Sequence, residues 1–339
     1  MLALLALSLL LALLLLVVVD CGKKMIYYSG LVLVMLQLLQ LLLLLFSCYN
    51  HVDGFHTVSR LHQLPYISTS RHLRLAAIKP FSDIDDDDDD ILKSDPPSLI
   101  IEPDEVSVGI KLCKILEEEY NRSIRGKGSF VFLISGGSMI KMLSHLKGNT
   151  SVNWSKCTMG FVSHRCVPLD DDGATFHKAR PEFLDSWIDQ GLKVITVTGS
   201  DDSKKEAAHF IAEFEKLSTA VLPKNDKGFI FDLLLIGLGV DGHIGSIYPN
   251  LSDVYANDIC IPATSKNGKI SLSIKSMLNS KTCVVACAGR SSKSPLGKAQ
   301  AMVRAFNEAE TPMSFPASAL RDKAIWLIDE PTALYVKPQ

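Results

Sequence analysis

The sequence predicts an α/β fold, a three-layer αβα arrangement around a mostly parallel, Rossmann-like sheet, preceded by a hydrophobic and transit-like leader. Three observations lead there. Of the 339 residues, those before Phe46 hold nearly all the excess hydrophobicity, so the leader separates from an ordinary globular composition after Ser98. Beyond that point, aliphatic runs of four to six residues alternate with stretches whose apolar positions recur at helical spacing. Two of those runs end in glycine-rich polar segments, the punctuation of strands that deliver loops to a sheet edge.

In chain order, residues 2–19 are apolar apart from Ser8, and a second apolar run, 31–46, is broken only by Gln37 and Gln40. The second run is short for a bilayer span, follows Lys23 and Lys24 and precedes small and polar residues, as a signal-peptide core does. A membrane hairpin or anchor is the alternative, and Met25 offers another start. Residues 55–82 hold no acidic side chain, while Arg60, Arg71, Arg74 and Lys79 lie among Ser, Thr and His, the composition of a transit peptide. Together these resemble a two-part presequence directed to a plastid, with cleavage near Phe55; membrane anchoring or the ER lumen is the alternative destination. The aspartates of 85–90, closed by Asp95, Pro96 and Pro97, form a solvated linker. The organisation expected is therefore 1–54 signal or anchor, 55–97 transit segment and acidic linker, and 98–339 a single domain.

Within the domain the patterns predict strands over 99–101, 130–134, 159–162, 193–197, 231–236, 282–286 and 324–328. Helices are expected over 104–122, 139–146, 204–217 and 298–307. Strands alternating with helices imply a mostly parallel sheet covered on both faces. Ligands of such sheets bind at the carboxyl ends of the strands, so chemistry is expected after Ile134, Val162 and Ile236.

A net charge of −2 with interspersed signs gives no basis for nucleic-acid binding, and membrane contact is expected only through the leader if it is retained. Oligomeric state is not legible. Cys113, Cys157, Cys166, Cys260, Cys283 and Cys287 fall singly in apolar contexts and read as buried thiols in a reducing compartment. The spacing of Cys283 and Cys287 would suit a ligand pair, but Val284, Val285 and Ala286 between them read as core strand. No metal-ligand cluster is present in the sequence.

Ser135-Gly-Gly-Ser138 stands between a strand and a helix, where glycines let backbone N–H groups approach a phosphate or a developing oxyanion; a tight turn is the plainer reading. The second segment, 231–249, runs from a row of aliphatics into Gly237, Gly239, Asp241, Gly242 and His243. An imidazole delivered there can take a proton from water near neutral pH, and Asp241 can orient it or meet substrate hydroxyls. A histidine that caps a helix is the alternative.

This segment resembles the 6-phosphogluconolactonase family, whose stretch reads roughly FDLLLLGxGxDGHxxSLFP, and the resemblance extends from about residue 100 to Ala333. Ser135, Gly136, Gly137 and Ser138 match the family's SGGS. Residues 161–168 align with FxDERxVP and 326–330 with its final strand. Related sugar-phosphate deaminases and isomerases share the Gly-Asp-Gly-His core, but Ser246-Ile-Tyr-Pro249 takes the lactonase form. The resemblance implies a carboxylic ester hydrolase acting on 6-phospho-D-glucono-1,5-lactone in the oxidative pentose phosphate pathway, without cofactor or metal, its partner a small sugar phosphate lactone. It also implies that His243 activates water with Asp241 orienting it, that Gly136, Gly137 and Gly242 offer backbone donors, and that Ser246 belongs to the substrate site. Arg165, Lys269 and Lys298 are implied to meet phosphate or substrate, with Lys293 a competing alignment for the last. The chain departs from the family at Ser163-His164, where Asp-Glu stands, and at Lys269-Ile-Ser271, where Arg-(Ile/Val)-Thr is usual. The rival readings are a glucosamine-6-phosphate deaminase or sugar-phosphate isomerase, and a degenerate sensor that binds without turnover.

Overall fold

The computed structural model describes residues 98–146, 151–265, 268–289 and 297–336, all within the second of two units into which the chain divides, Ile78–Gln339. The expectations for the leader, the transit-like segment and the acidic linker concern residues outside these.

Seven parallel strands form the central sheet: β1 (Leu99–Glu102), β2 (Phe130–Ile134), β3 (Cys157–Phe161), β5 (Lys193–Val194), β8 (Leu233–Gly237), β11 (Thr282–Cys287) and β12 (Ile325–Asp329). Their order is β1-β12-β11-β8-β2-β3-β5. Helix α1 (Glu105–Lys127) opens on Asp104, whose carboxylate accepts the Ser107 N–H, and closes on Gly128 in the left-handed region. It runs five residues past the expected end because Gly128, not Arg122, supplies the stop. Short α2 (Ser138–Leu143) follows β2, and a helical stretch of α3 (Thr175–Ala179), a π turn (Arg180–Leu184) and α4 (Asp185–Asp189) links β3 to β5. Helix α5 (Ser203–Glu215) precedes β8, α6 (Ile274–Leu278) precedes β11, and α7 (Ala299–Ala305) and α8 (Glu330–Ala333) flank β12.

The continuous aliphatic runs have a physical cause: the central strands bury both faces. Val131 and Leu133 of β2, Leu234 and Ile236 of β8 and Trp326 and Ile328 of β12 pack with Phe210, Phe214 and Met302 on one side. Phe130, Phe132, Ile134, Leu233, Leu235 and Leu327 pack with Leu112, Leu116, Trp154 and Trp187 on the other. Each such side chain contributes about 1.5–3 kcal/mol by leaving water. The six cysteines named above within the domain are free and buried.

Two features lie outside the expectations. Strands β4 (Ser163–Arg165), β9 (Cys260–Pro262) and β10 (Lys269–Leu272) form an antiparallel sheet in the order β4-β10-β9, and β6 (Lys224–Asn225) pairs with β7 (Gly228–Phe229). The strand expected over 193–197 is in register with β3 only at Lys193 and Val194, and the Ile195 N–H adds one bond to the Met159 carbonyl at 2.8 Å.

Candidate active site

Strand order reverses between β8 and β2: from β2 the chain moves outward to β3 and β5, and from β8 in the other direction to β11 and β12. At such a switch point the loops leaving adjacent strands part and open a crevice. Both glycine-rich segments leave there. Ile134 is in register with Leu235, and the Ser135 N–H donates to the Leu235 carbonyl at 2.8 Å.

The crevice is a cavity of about 430 Å³ lined by Ser135, Gly136, Gly137 and Ser138 from the first loop and by Gly239, His243, Ser246 and Tyr248 from the second. Arg165, Lys269 and Lys298 also line it, as do Thr175 and Lys178 of α3. Of the residues expected at the site, Asp241 and Gly242 stand outside the lining. Asp241 reaches it through His243, whereas the Gly242 N–H is committed to the Gly239 carbonyl at 3.0 Å and closes the turn.

No helix follows β8 directly; 238–247 folds back on itself through bridges of Leu238 with Ile244 and of Ile244 with Ile247. The turn fixes His243. Its Nδ1 lies 2.5 Å from Asp241 Oδ1, its backbone N–H donates to the same oxygen at 3.2 Å, and its ring stacks on Tyr248 at 4.4 Å. A carboxylate only accepts, so Nδ1 carries the proton and Nε2 is the basic nitrogen. Burial alone would raise the Asp241 carboxyl, but the bonds from the His243 ring and backbone outweigh it and hold it below the usual carboxylate range.

Two glycines of this turn are dictated by close approach. A Cβ at Gly239 would fall on the His243 ring and against Asp241, so only glycine lets the pair form there. At Gly242, φ is +89° and a Cβ would collide with the buried ring of Phe315.

Cationic side chains come from elsewhere in the chain. In the antiparallel sheet Arg165 is in register with Lys269, His164 with Ile270 and Ser163 with Ser271, so both departures from the family motif meet across one ladder. Like charges directly opposite on a sheet repel, a cost that a bound anion converts into attraction. Burial pushes the Lys298 ammonium down, against the pull of the Cys287 thiol and the Asp241 carboxylate, and its Nζ donates to the Leu238 carbonyl. Ser135 is buried, and its Oγ has no hydrogen-bond partner among the described residues.

His164 is 2% exposed. Its Nδ1–H donates to the Arg165 carbonyl at 2.6 Å and its Nε2 accepts the Phe176 N–H at 3.2 Å, which fixes a neutral ring. Burial pushes this imidazole down, offset in part by the Arg165 carbonyl and the field of Glu206. Lys178 was missed by sequence reasoning; its only signal is a basic residue three positions after Thr175, which is common on any exposed helix.

The family model for glucosamine-6-phosphate isomerases/6-phosphogluconolactonase matches residues 103–327. The 6-phosphogluconolactonase of Mycobacterium tuberculosis is 26% identical over 246 residues, 70% of this chain and 97% of its own length. The Arabidopsis thaliana protein named 6-phosphogluconolactonase 3, chloroplastic, is 24% identical over 240 residues, 68% of this chain and 72% of its own. Among solved structures, 6-phosphogluconolactonase from Trypanosoma brucei superposes with a TM-score of 0.60 at 17% identity, covering 71% of this chain and 99% of that one, a likeness of fold.

Proposed function

Because the chain belongs to the glucosamine-6-phosphate isomerase/6-phosphogluconolactonase family, we propose that it hydrolyses 6-phospho-D-glucono-1,5-lactone to 6-phosphogluconate, with His243 as general base. The observation that carries this reading is one cavity wall shared by an Asp-held imidazole, a glycine turn and two cations in register. His243 Nε2 takes a proton from water as the oxygen attacks the lactone carbonyl. The negative charge that develops on the carbonyl oxygen meets backbone donors of the Gly136–Gly137 turn. When the tetrahedral adduct collapses, the ring C–O bond breaks and the imidazolium returns its proton to the leaving oxygen, regenerating the base. Asp241 steadies the imidazolium between these steps.

The phosphate, remote from the reacting carbon, is assigned to Arg165 and Lys269, with the Ser135 hydroxyl and Lys178 within the same wall. Lys298, anchored on Leu238 beside Asp241, faces the sugar end. Ser246 serves the site through its place in the lining. The pathway implied is the oxidative pentose phosphate route, and the chloroplastic relative supports a plastid location reached by the leader. The domain of 98–339 is the unit assigned this chemistry.

The test supplies freshly generated 6-phosphogluconolactone and, separately, glucosamine 6-phosphate to the protein and to His243→Ala. Lactone turnover that falls by about 10²- to 10⁴-fold in the variant is expected. Ammonia release from the amino sugar phosphate would instead favour a deaminase, and equal lactone turnover in both proteins would dismiss His243.

A further inference from the structure

We propose that His164 is a positioning residue whose ring ties strand β4, bearing Arg165, to the head of α3, bearing Thr175 and Lys178, and so sets the phosphate-binding wall. The inference rests on the phosphate assignment above.

The tie is short and has two ends. Nδ1–H holds the carbonyl of Arg165 itself, and Nε2 holds the Phe176 N–H between Thr175 and Lys178. The ring is fixed by the Phe161 ring, edge-on at 4.9 Å, and by the β10 ladder, where His164 is in register with Ile270. One imidazole thereby links two segments of the cavity wall, the Arg165 strand and the Lys178 helix.

The chemistry demands a group that donates at one end and accepts at the other. Neutral imidazole does both. A carboxylate at this position accepts the Phe176 N–H but cannot donate to the Arg165 carbonyl, so the wiring differs from that of the Asp-Glu-Arg form of the motif. Losing the tie misplaces groups that bind a remote, non-reacting phosphate. Such a loss weakens ground state and transition state alike and appears in KM, not kcat.

The experiment compares the protein with His164→Leu, which can make neither bond, His164→Glu, which can accept only, and His164→Gln, which can donate and accept. Steady-state constants are measured on 6-phosphogluconolactone and on unphosphorylated glucono-1,5-lactone, with thermal unfolding as the check on folding. The Leu and Glu variants should raise KM for the phosphorylated lactone at least about tenfold with kcat within about twofold, an effect of roughly 1.4 kcal/mol. The Gln variant should recover most of it, and kcat/KM for the unphosphorylated lactone should not move. If the Leu variant fails to fold, the Glu and Gln pair decides. Equal constants in the folded Glu variant and the wild type, or equal losses on both lactones, would overturn the proposal. Calorimetric binding of 6-phosphogluconate separates the two layers. A wild type that binds this ligand without lactone turnover removes the hydrolase reading and leaves His164 to be judged by the variants' affinity; a wild type that neither binds nor turns over removes both.

Discussion

Gly239 shows how far one missing methyl can govern a site. The His243 ring occupies the place a Cβ would take, so Gly239→Ala must displace the imidazole or break its bond to Asp241. Expected is a loss of kcat of about 10²-fold or more, since an ångström of misplacement is felt at that level, with little change in the urea midpoint because the turn is on the surface of the cavity. His164 gives the acid-side prediction. Burial holds its folded value below that of an ordinary imidazole, about 6.5, so the unfolded chain binds the extra proton first. Its contribution to stability is therefore whole above about pH 6.5 and is lost as pH falls through the lowered folded value, with Arg165 beside it and Glu206 facing it from α5. Urea midpoints between pH 7 and 5 should drop more steeply in wild type than in His164→Gln, whose amide does not titrate; parallel curves would show that the ring titrates normally.

Among the elements, the β4-β10 ladder carries the next prediction. Lysine at 269 supplies charge without the planar fork of arginine, so Lys269→Arg should lower KM for the phosphorylated lactone about fivefold, roughly the worth of one added hydrogen bond, and leave kcat alone. An unchanged KM would place phosphate elsewhere. This ladder also marks the limit of what the sequence discloses. Strands β2, β8, β11 and β12 were legible because burial on both faces writes a continuous aliphatic run. Strands β4, β9 and β10, with three, three and four residues, are too short to establish a period, and the β4-β10 pairing joins positions about a hundred residues apart. The glycine turns and the Asp-Gly-His segment were readable because close backbone approach restricts residue type locally. The two bonds of His164 were not, since one partner is a backbone N–H on a helix twelve residues away. Lys178 was hidden for the same reason: its place in the cavity lining is set by where α3 is held.

For the whole molecule, the amino ends of the strands are closed by a charge cluster remote from the cavity. Asp232, 2% exposed, accepts the Val131 N–H at 2.8 Å and pairs with Lys127 at 2.7 Å and Lys281 at 3.0 Å, joining α1, β2 and the approaches to β8 and β11. Asp232→Ala leaves a largely buried ammonium without its counter-charge and should cost about 3 kcal/mol in urea unfolding while kcat and KM at permissive temperature stay as they are. A smaller loss would mean that water reaches Lys127. At one edge of the sheet, β1 has β12 as its neighbour, with roughly 220 residues of chain between them. The first segment of the domain to leave the ribosome thus has no strand to pair with until β12 is made, and a frameshift or clipping that removes Ile325–Asp329 unfastens Leu99–Glu102 as well. Head and tail act as two halves of one clasp, and damage to either is felt at both.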